Sequence, residues 1–518
     1  MTLFALALVA MPMRPTLDPD MWWHLRTGEV IWQSGIPRQD IFSFTVPHHE
    51  WVTHEWLSQL LMWLVYLAGG WPGLIVVFAL LTAVAYWLVY KCSAGQPYLA
   101  AFVVLLAAIA SAIVWGVRPQ IFNILLAALF VYAVEQVKDK QLDPRWLWVL
   151  PFVTLVWANL HSGYLLGVVL LATYTVGGGL ELYLGLADDR SFDRAHLRQM
   201  SLVVVASFLL AAVNPSGPSL WLYPFETLGS PAMQGYIQEW HSPNFHLAYF
   251  WPFAALMALG GLGWAFSPQR PTWTDLLLFC GTAFAGLVSA RHIPLFAVVV
   301  TPIVCRHWEA ILAEARARAE ARGDRDREGE GLVWLNWFLV GLTVVGVVVW
   351  TASVVVENET AVSEWYPVAA VDFLEAEGLA DAPGYNSYNW GGYLIWRGLP
   401  VFVDGRADVY GDEFLFYYRQ TFEVQPNWRQ PLDEHNVVYV LIEPYSPLTA
   451  VLTLDDQWDT IYQDEIAQIF LRRNYTASLE IHHTDTKLTK RSQGNFVFLR
   501  QCSGQALVSS WSVITHPQ

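Results

Sequence analysis

The chain has 518 residues, 55% of them hydrophobic and 14% charged, with 27 tryptophans and a formal net charge of −16. Soluble domains carry roughly 25% charged residues, so this composition, with a mean hydropathy of +0.34, excludes an ordinary cytosolic enzyme, a disordered chain and a fibrous repeat; it is that of a membrane protein. The acidity is concentrated in residues 357–518, where 22 Asp or Glu face 10 Lys or Arg, which argues against a nucleic-acid partner.

In chain order, apolar runs long enough to cross a bilayer lie at about 72–90, 97–116, 119–136, 162–184, 246–266, 273–290, 293–312 and 332–355. Shorter runs at 1–14, 146–158 and 199–214 bring the expectation to about eleven spans. The first run has no Lys or Arg before Arg14 and no small-residue cleavage site, so it reads as a shortened first helix, not a signal peptide. WLSQLLMWLVYLAGG (56–70) reads as an interfacial helix, because counting it as a span would invert everything after it. The mixed-charge run 313–331 reads as a solvated helix extension and linker.

Lys and Arg favour the cytoplasmic loops, and the arrangement with the amino terminus inside puts fourteen of them there against five in the short outer loops. The expected protein is therefore multi-pass in the cytoplasmic membrane, with a domain of residues 1–356 and an extracytoplasmic α/β domain of residues 357–518. In the latter, VAAVDFLEAEGL and EFLFYYRQTF read as helices, PVFVDG and VVYVLIEP as strands, WDTIYQDEIAQIFLRR as a hairpin and NFVFLRQ as a last strand. The scattered Cys92, Cys280, Cys305 and Cys502 form no CxxC pair and read as structural thiols.

With that topology the unusual polar residues collect on one side of the membrane. The loop 15–71 carries Asp18, Asp20, His24, Arg26, Glu29, Asp40, His54 and Glu55; other outer junctions add Arg118, His161, Glu239, His241, Arg291 and His292. Carboxylates, imidazoles and guanidinium groups beside an apolar bundle suit an anionic lipid-linked substrate and a divalent cation such as Mg or Mn. Asp18 and Asp20 stand out, because two carboxylates at the membrane edge are costly without a partner. The repeated HEW motif places His49 and His54 five residues apart, not four, so it is not the zinc protease signature.

At LDPDMWWHLRTGEVIWQSGIP the chain resembles the polytopic glycosyltransferases of the GT-C class: protein mannosyltransferases, the aminoarabinose transferase of lipid A and oligosaccharyltransferases. The resemblance implies a catalytic Asp after the first span. Asp20, Arg26 and Glu29 reproduce the spacing of the oligosaccharyltransferase pattern D-P-x-x-x-x-R-x-x-E, while the Asp-Pro dipeptide is Asp18-Pro19, so both acids are candidates for the catalytic or metal-holding carboxylate. GVRPQIFN, WANLHSGYLLG, NPSGPSLWLYP, IQEWHSPNF and RHIPLFAVV resemble landmarks of bacterial membrane proteins assigned to the same class. NSYNWGGYLIWRGLPVFVDGRADVYGDEF is similar to their tryptophan-rich acceptor-binding segment, without its W-W-D triplet. That likeness implies sugar or acceptor binding by Trp390, Tyr393, Asp404 and Arg406, against an internal Asp404–Arg406 ion pair and glycines that merely allow a turn.

The expected activity is transfer of a sugar, hexosyl or pentosyl, from a polyprenyl-phosphate donor to a glycan, lipid or protein acceptor on the extracytoplasmic side. Asp20 would act as general base or hold a cation on the phosphate, and Arg118, Arg291 or His292 would stabilise the leaving phosphate. The competing reading is a non-catalytic lipid-binding scaffold with an outer docking domain; a transporter is disfavoured because no internal repeat is evident.

Overall fold

The structure, a computed structural model, describes residues 1–93, 95–322, 333–473 and 475. Residues Met1–Arg472 form one compact unit. The expected strand NFVFLRQ, the end of the 313–331 linker and Cys502 lie outside the described residues.

Helices α1 (Thr2–Ala10), α2 (Pro19–Ser34), α3 (Trp56–Lys91), α4 (Pro97–Ser111), α5 (Gln120–Lys138), α6 (Leu150–Leu160), α7 (Tyr164–Tyr183), α8 (Arg194–Leu210), α9 (Tyr223–Gly229), α10 (Pro231–Tyr236), α11 (Trp251–Phe266), α12 (Trp273–Val288), α13 (Ile293–Ala321) and α14 (Val333–Trp365) come first in the chain. Among the described residues, seven helices are long and apolar enough to cross a membrane, those containing α3, α4, α5, α7, α11, α13 and α14; the chain is a multi-pass integral membrane protein. The runs at 1–14, 146–158, 199–214 and 273–290 also carry helices, but shorter ones. Hydroxyls inside the bundle turn back on their own helix: Thr154 donates to Leu150 O at 3.0 Å and Thr301 to Ala297 O at 2.6 Å, so neither is left unpaired in an apolar setting.

The 56–70 stretch is helical and breaks from the span that follows at Gly70, whose φ of 58° and ψ of −151° interrupt α3 just before Pro72. Its buried face, Ser58, Gln59, Met62 and Trp63, packs on α2. Gly28 makes that approach possible, since a Cβ there would lie 2.1 Å from Gln59 O.

The α/β part contains α15 (Val368–Ala376), β1 (Gly384–Asn386), α16 (Gly391–Arg397), α17 (Ala407–Phe422), α18 (Gln430–Glu434), β2 (Tyr439–Ile442), α19 (Pro447–Leu452), β3 (Trp458–Gln463) and β4 (Gln468–Arg472). The sheet order is β1-β2-β4-β3, with β1 parallel to β2 (Gly384↔Tyr439) and β4 antiparallel to both β2 and β3. The expected helices, the VVYVLIEP strand and the hairpin are present. PVFVDG is not a strand of this sheet. Val401 instead bridges Ser43 of the first long loop, donating to Phe42 O and accepting from Phe44 N at 3.2 Å each. Its alternating valines fit a pleated edge, but the partner that satisfies them is an irregular loop far away in sequence.

Candidate functional site

Asp18 caps α2. Its Oδ1 accepts the Asp20 backbone N–H at 3.0 Å, and Pro19 takes the position where a missing N–H costs nothing. Asp20 then falls in the first turn, with its side chain 29% exposed toward a cavity of about 480 Å³. Its Oδ1 accepts from Trp23 Nε1 at 3.1 Å and sits against Gly405, where a Cβ would lie 2.1 Å from that oxygen.

Arg118, just ahead of α5, is the hub of the acidic half of the cavity. Its Nε lies 3.3 Å from Asp18 Oδ2, its Nη1 3.6 Å from Asp20 Oδ2, and its Nη2 donates to both Glu239 oxygens at 2.5 and 2.7 Å and to Gln120 Oε1 at 2.9 Å. Three carboxylates around one guanidinium hold Arg118 firmly charged against the cost of burial. Burial, reinforced by the Asp18 charge and opposed by Arg118, pushes Asp20 up to about 7. Asp18 rises mainly by burial, and Glu239 falls because Arg118 outweighs its burial.

The other half centres on Glu55, at the start of α3. His161 Nε2 approaches its Oε1 at 3.1 Å, His54 Nε2 the same oxygen at 3.5 Å, and His24 Nε2 its Oε2 at 3.4 Å. Burial opposes the Glu55 charge, but these imidazoles win and hold it well below the usual carboxylate range. Burial drives His24 and His161 down to about 3, whereas for His54 the adjoining Glu55 carboxylate overcomes burial and raises it.

Tyr223, hydrogen-bonded to Asp408 at the start of α17, closes this side, and burial raises Asp408. Arg291 enters from the turn before α13 with its guanidinium carbon 4.7 Å from the Trp240 ring centroid and a long 3.4 Å bond to Gln120 Oε1. Below the polar residues the wall turns apolar with Ile124, Ala127, Leu166, Val169 and Val298, and Val169 is itself exposed on the flank of the bundle.

Nine of the residues singled out in the sequence line this one cavity: Asp20, His24, His54, Glu55, Arg118, His161, Glu239, Arg291 and His292. Asp18 stands behind them on Arg118. The others do not line this cavity. Arg26 and Glu29 pair with each other one turn apart on α2. His241 binds Gly235 O through its ring at 3.2 Å and accepts Ala290 N on its backbone oxygen at 3.0 Å, tying two loops together.

Asp404 and Arg406 form the internal ion pair at 2.7 Å, with Asp40 bonded to the same guanidinium at 2.6 Å and all three side chains fully buried. Trp390 donates to Trp365 O at 3.3 Å, and Tyr393 stacks on Tyr366 and meets the edge of Trp22. Sequence reading missed Asn123, Tyr223, Gly405 and Asp408. Asp408 is two residues from the noticed Arg406, but only the entry into α17 turns it toward the cavity.

For a divalent cation, Asp18, Asp20 and Glu239 are donors of the right hard-oxygen type. They do not fit one as arranged, because the Arg118 guanidinium occupies their common focus. Among the described residues no group of three or more His, Cys, Asp or Glu has metal-site geometry.

No protein-family model and no curated protein sequence matches the chain. Solved structures do. The oligosaccharyltransferase AglB from Archaeoglobus fulgidus, in complex with an inhibitory peptide and a dolichol-phosphate, is similar at a TM-score of 0.57 and 12% identity, over 85% of this chain and 69% of that one. Another structure of the Archaeoglobus fulgidus oligosaccharyltransferase, a complex with Zn and sulfate, gives 0.49 at 11% identity, over 86% and 68%. ArnT from Cupriavidus metallidurans bound to undecaprenyl phosphate gives 0.47 at 12% identity, over 90% and 96%. The chain therefore has the GT-C membrane fold that its first long loop resembles, shared with the archaeal oligosaccharyltransferase.

Proposed function

We propose that this chain is a membrane glycosyltransferase that moves a sugar from a polyprenyl-phosphate-linked donor to an acceptor glycan, lipid or protein. The observation that carries the reading is the cavity itself, which joins a carboxylate poised at about 7 to guanidinium groups and to an apolar wall reaching the bundle flank. An isoprenoid tail would lie along Ile124, Leu166 and Val169 with its phosphate among the polar residues. The dolichol-phosphate in the neighbouring oligosaccharyltransferase structure is of that chemistry.

Asp20 is the general base, taking the acceptor proton as the acceptor oxygen attacks the anomeric carbon. Arg291 is the cation for the leaving phosphate, because Arg118 is already committed to three carboxylates, and His292 stands beside it. No step runs through a metal. Residues 1–356 form the catalytic domain and 357–518 the acceptor-side domain, with the cavity facing the extracytoplasmic side of the cytoplasmic membrane and the amino terminus inside, the sidedness that the basic loops favour.

The test is sugar transfer in proteoliposomes from a panel of radiolabelled undecaprenyl-phosphate sugars, with extracted envelope lipids and glycans as acceptors. Transfer that disappears in Asp20→Asn supports the enzyme. Carrier binding without transfer under every condition makes the chain a lipid-binding scaffold.

A further inference from the structure

The Glu55 cluster has the composition of a metal site, three imidazoles and a carboxylate, yet its hydrogen bonds assign each proton. His161 Nδ1 accepts the Gly163 backbone N–H at 2.8 Å and faces Asn123 Nδ2 at 3.0 Å. A backbone N–H can only donate, so His161 carries its proton on Nε2, pointing at Glu55, and has no lone pair there for a metal. His24 is alike: Gln59 Nε2 faces its Nδ1 at 3.2 Å, which puts the proton on Nε2, 3.4 Å from Glu55 Oε2.

His54 is different. Its Nδ1 lies 3.1 Å from Val52 O, and a carbonyl only accepts, so Nδ1 is protonated. A neutral His54 would then aim the Nε2 lone pair at the Glu55 carboxylate, a repulsive contact that a second proton turns into an ion pair. Every charged or titratable neighbour agrees. Glu55 and Asp408 are acids, Tyr223 packs its ring 4.2 Å from that of His54, and His24 and His161 are held neutral. The cluster thus stores one mobile proton, on His54, at the wall of the cavity that Asp20 also lines.

We propose that His54 is the proton donor to the departing phosphate, with Glu55 as the positioning residue that keeps it charged and His24 and His161 as neutral N–H groups that hold Glu55 in place. The proposal rests on the glycosyl-transfer reading above. In the balanced step, the acceptor oxygen forms its bond to the anomeric carbon and gives its proton to Asp20. The bond from that carbon to the phosphate oxygen breaks, its electron pair stays on that oxygen, and His54 Nε2, turning from its 3.5 Å contact with Glu55, delivers a proton there. One proton has moved from acceptor to phosphate, and Asp20 and His54 return to their starting states by exchange with water. An acid and a base whose surroundings separate their roles within one cavity is the pattern that lets both work near neutral pH.

Two measurements test this. In proteoliposomes with undecaprenyl-phosphate sugar donors, His54→Gln is expected to lower kcat at least about 100-fold with a donor KM within about threefold of wild type, and to lose the alkaline fall of the kcat–pH profile. An unchanged kcat or an unchanged alkaline limb overturns the proposal. Independently of catalysis and of how His54→Gln folds, ¹⁵N NMR of histidine-labelled wild-type protein in detergent is expected to show one doubly protonated imidazole in the cluster at pH 7, lost in Glu55→Gln, and an Nε2-protonated His161. All three imidazoles neutral at pH 7 would also overturn it. If the NMR pattern holds while no sugar moves with any donor, the transfer reading fails and the proton-donor role falls with it, leaving only the proton assignment.

Discussion

Asp18 and Asp20 show how two identical side chains, two residues apart, take different duties. The first spends one oxygen on capping α2 and the other on Arg118, so only the second presents a carboxylate to the cavity. Asp20→Asn is therefore expected to reduce transfer by at least about 100-fold, the scale on which a general base contributes. Asp18→Asn keeps a good cap and removes a neighbouring negative charge, so it should retain transfer. The pH dependence follows from the sign of the shift. Asp20 is raised to about 7 and, as the proposed base, works only when ionised, so kcat/KM should climb about tenfold per pH unit up to roughly 7, before the alkaline fall that His54 imposes as the proposed acid. In Asp18→Asn this acidic limb should move to lower pH; steady-state rates from pH 5 to 9 would show both. At Gly405 an added methyl would overlap Asp20 Oδ1, so Gly405→Ala should cut kcat, whereas Gly281→Ala, with open space around it, should not.

At the scale of elements, what could be read in advance was whatever depends on local pattern. Apolar runs gave the helices, and short apolar runs between turn residues gave β2 and the β3–β4 hairpin. Hydropathy with basic-loop asymmetry brought nine residues from six segments to one face, and those nine share the cavity. Pairings across hundreds of residues were out of reach. Nothing near Asp40 announces that it binds Arg406, 366 positions on, or that PVFVDG completes the 40–46 loop and not the sheet.

That buried Asp40–Arg406–Asp404 group, with the guanidinium carbon 4.7 Å from the Trp51 ring centroid, fastens the first long loop to the α/β part just behind Asp20. Removing the single cation would strand two buried carboxylates. Arg406→Ala is expected to destabilise the protein by about 3–5 kcal/mol, seen as a large fall in the thermal midpoint of the detergent-solubilised protein. An unchanged midpoint would show that the group fastens nothing.

For the whole molecule, the apolar bundle supplies a low-dielectric wall, and the loops at one end supply the charges that such a wall makes strong. The guanidinium at the focus of three carboxylates bears on cofactor dependence. EDTA should change the wild-type rate less than about twofold, while Arg118→Gln, which frees those carboxylates, should lose transfer; titrating the rate with EDTA and then Mg or Mn checks this.

Asp20, facing a lipid-reaching cavity, is proposed to drive transfer from a polyprenyl-phosphate donor. This role is tested most directly by comparing wild type, Asp18→Asn and Asp20→Asn in reconstituted membranes with a panel of radiolabelled undecaprenyl-phosphate sugars. Label is expected to move to an acceptor in wild type and Asp18→Asn and not in Asp20→Asn. Full transfer by Asp20→Asn, or none by wild type with any donor it binds, would contradict it.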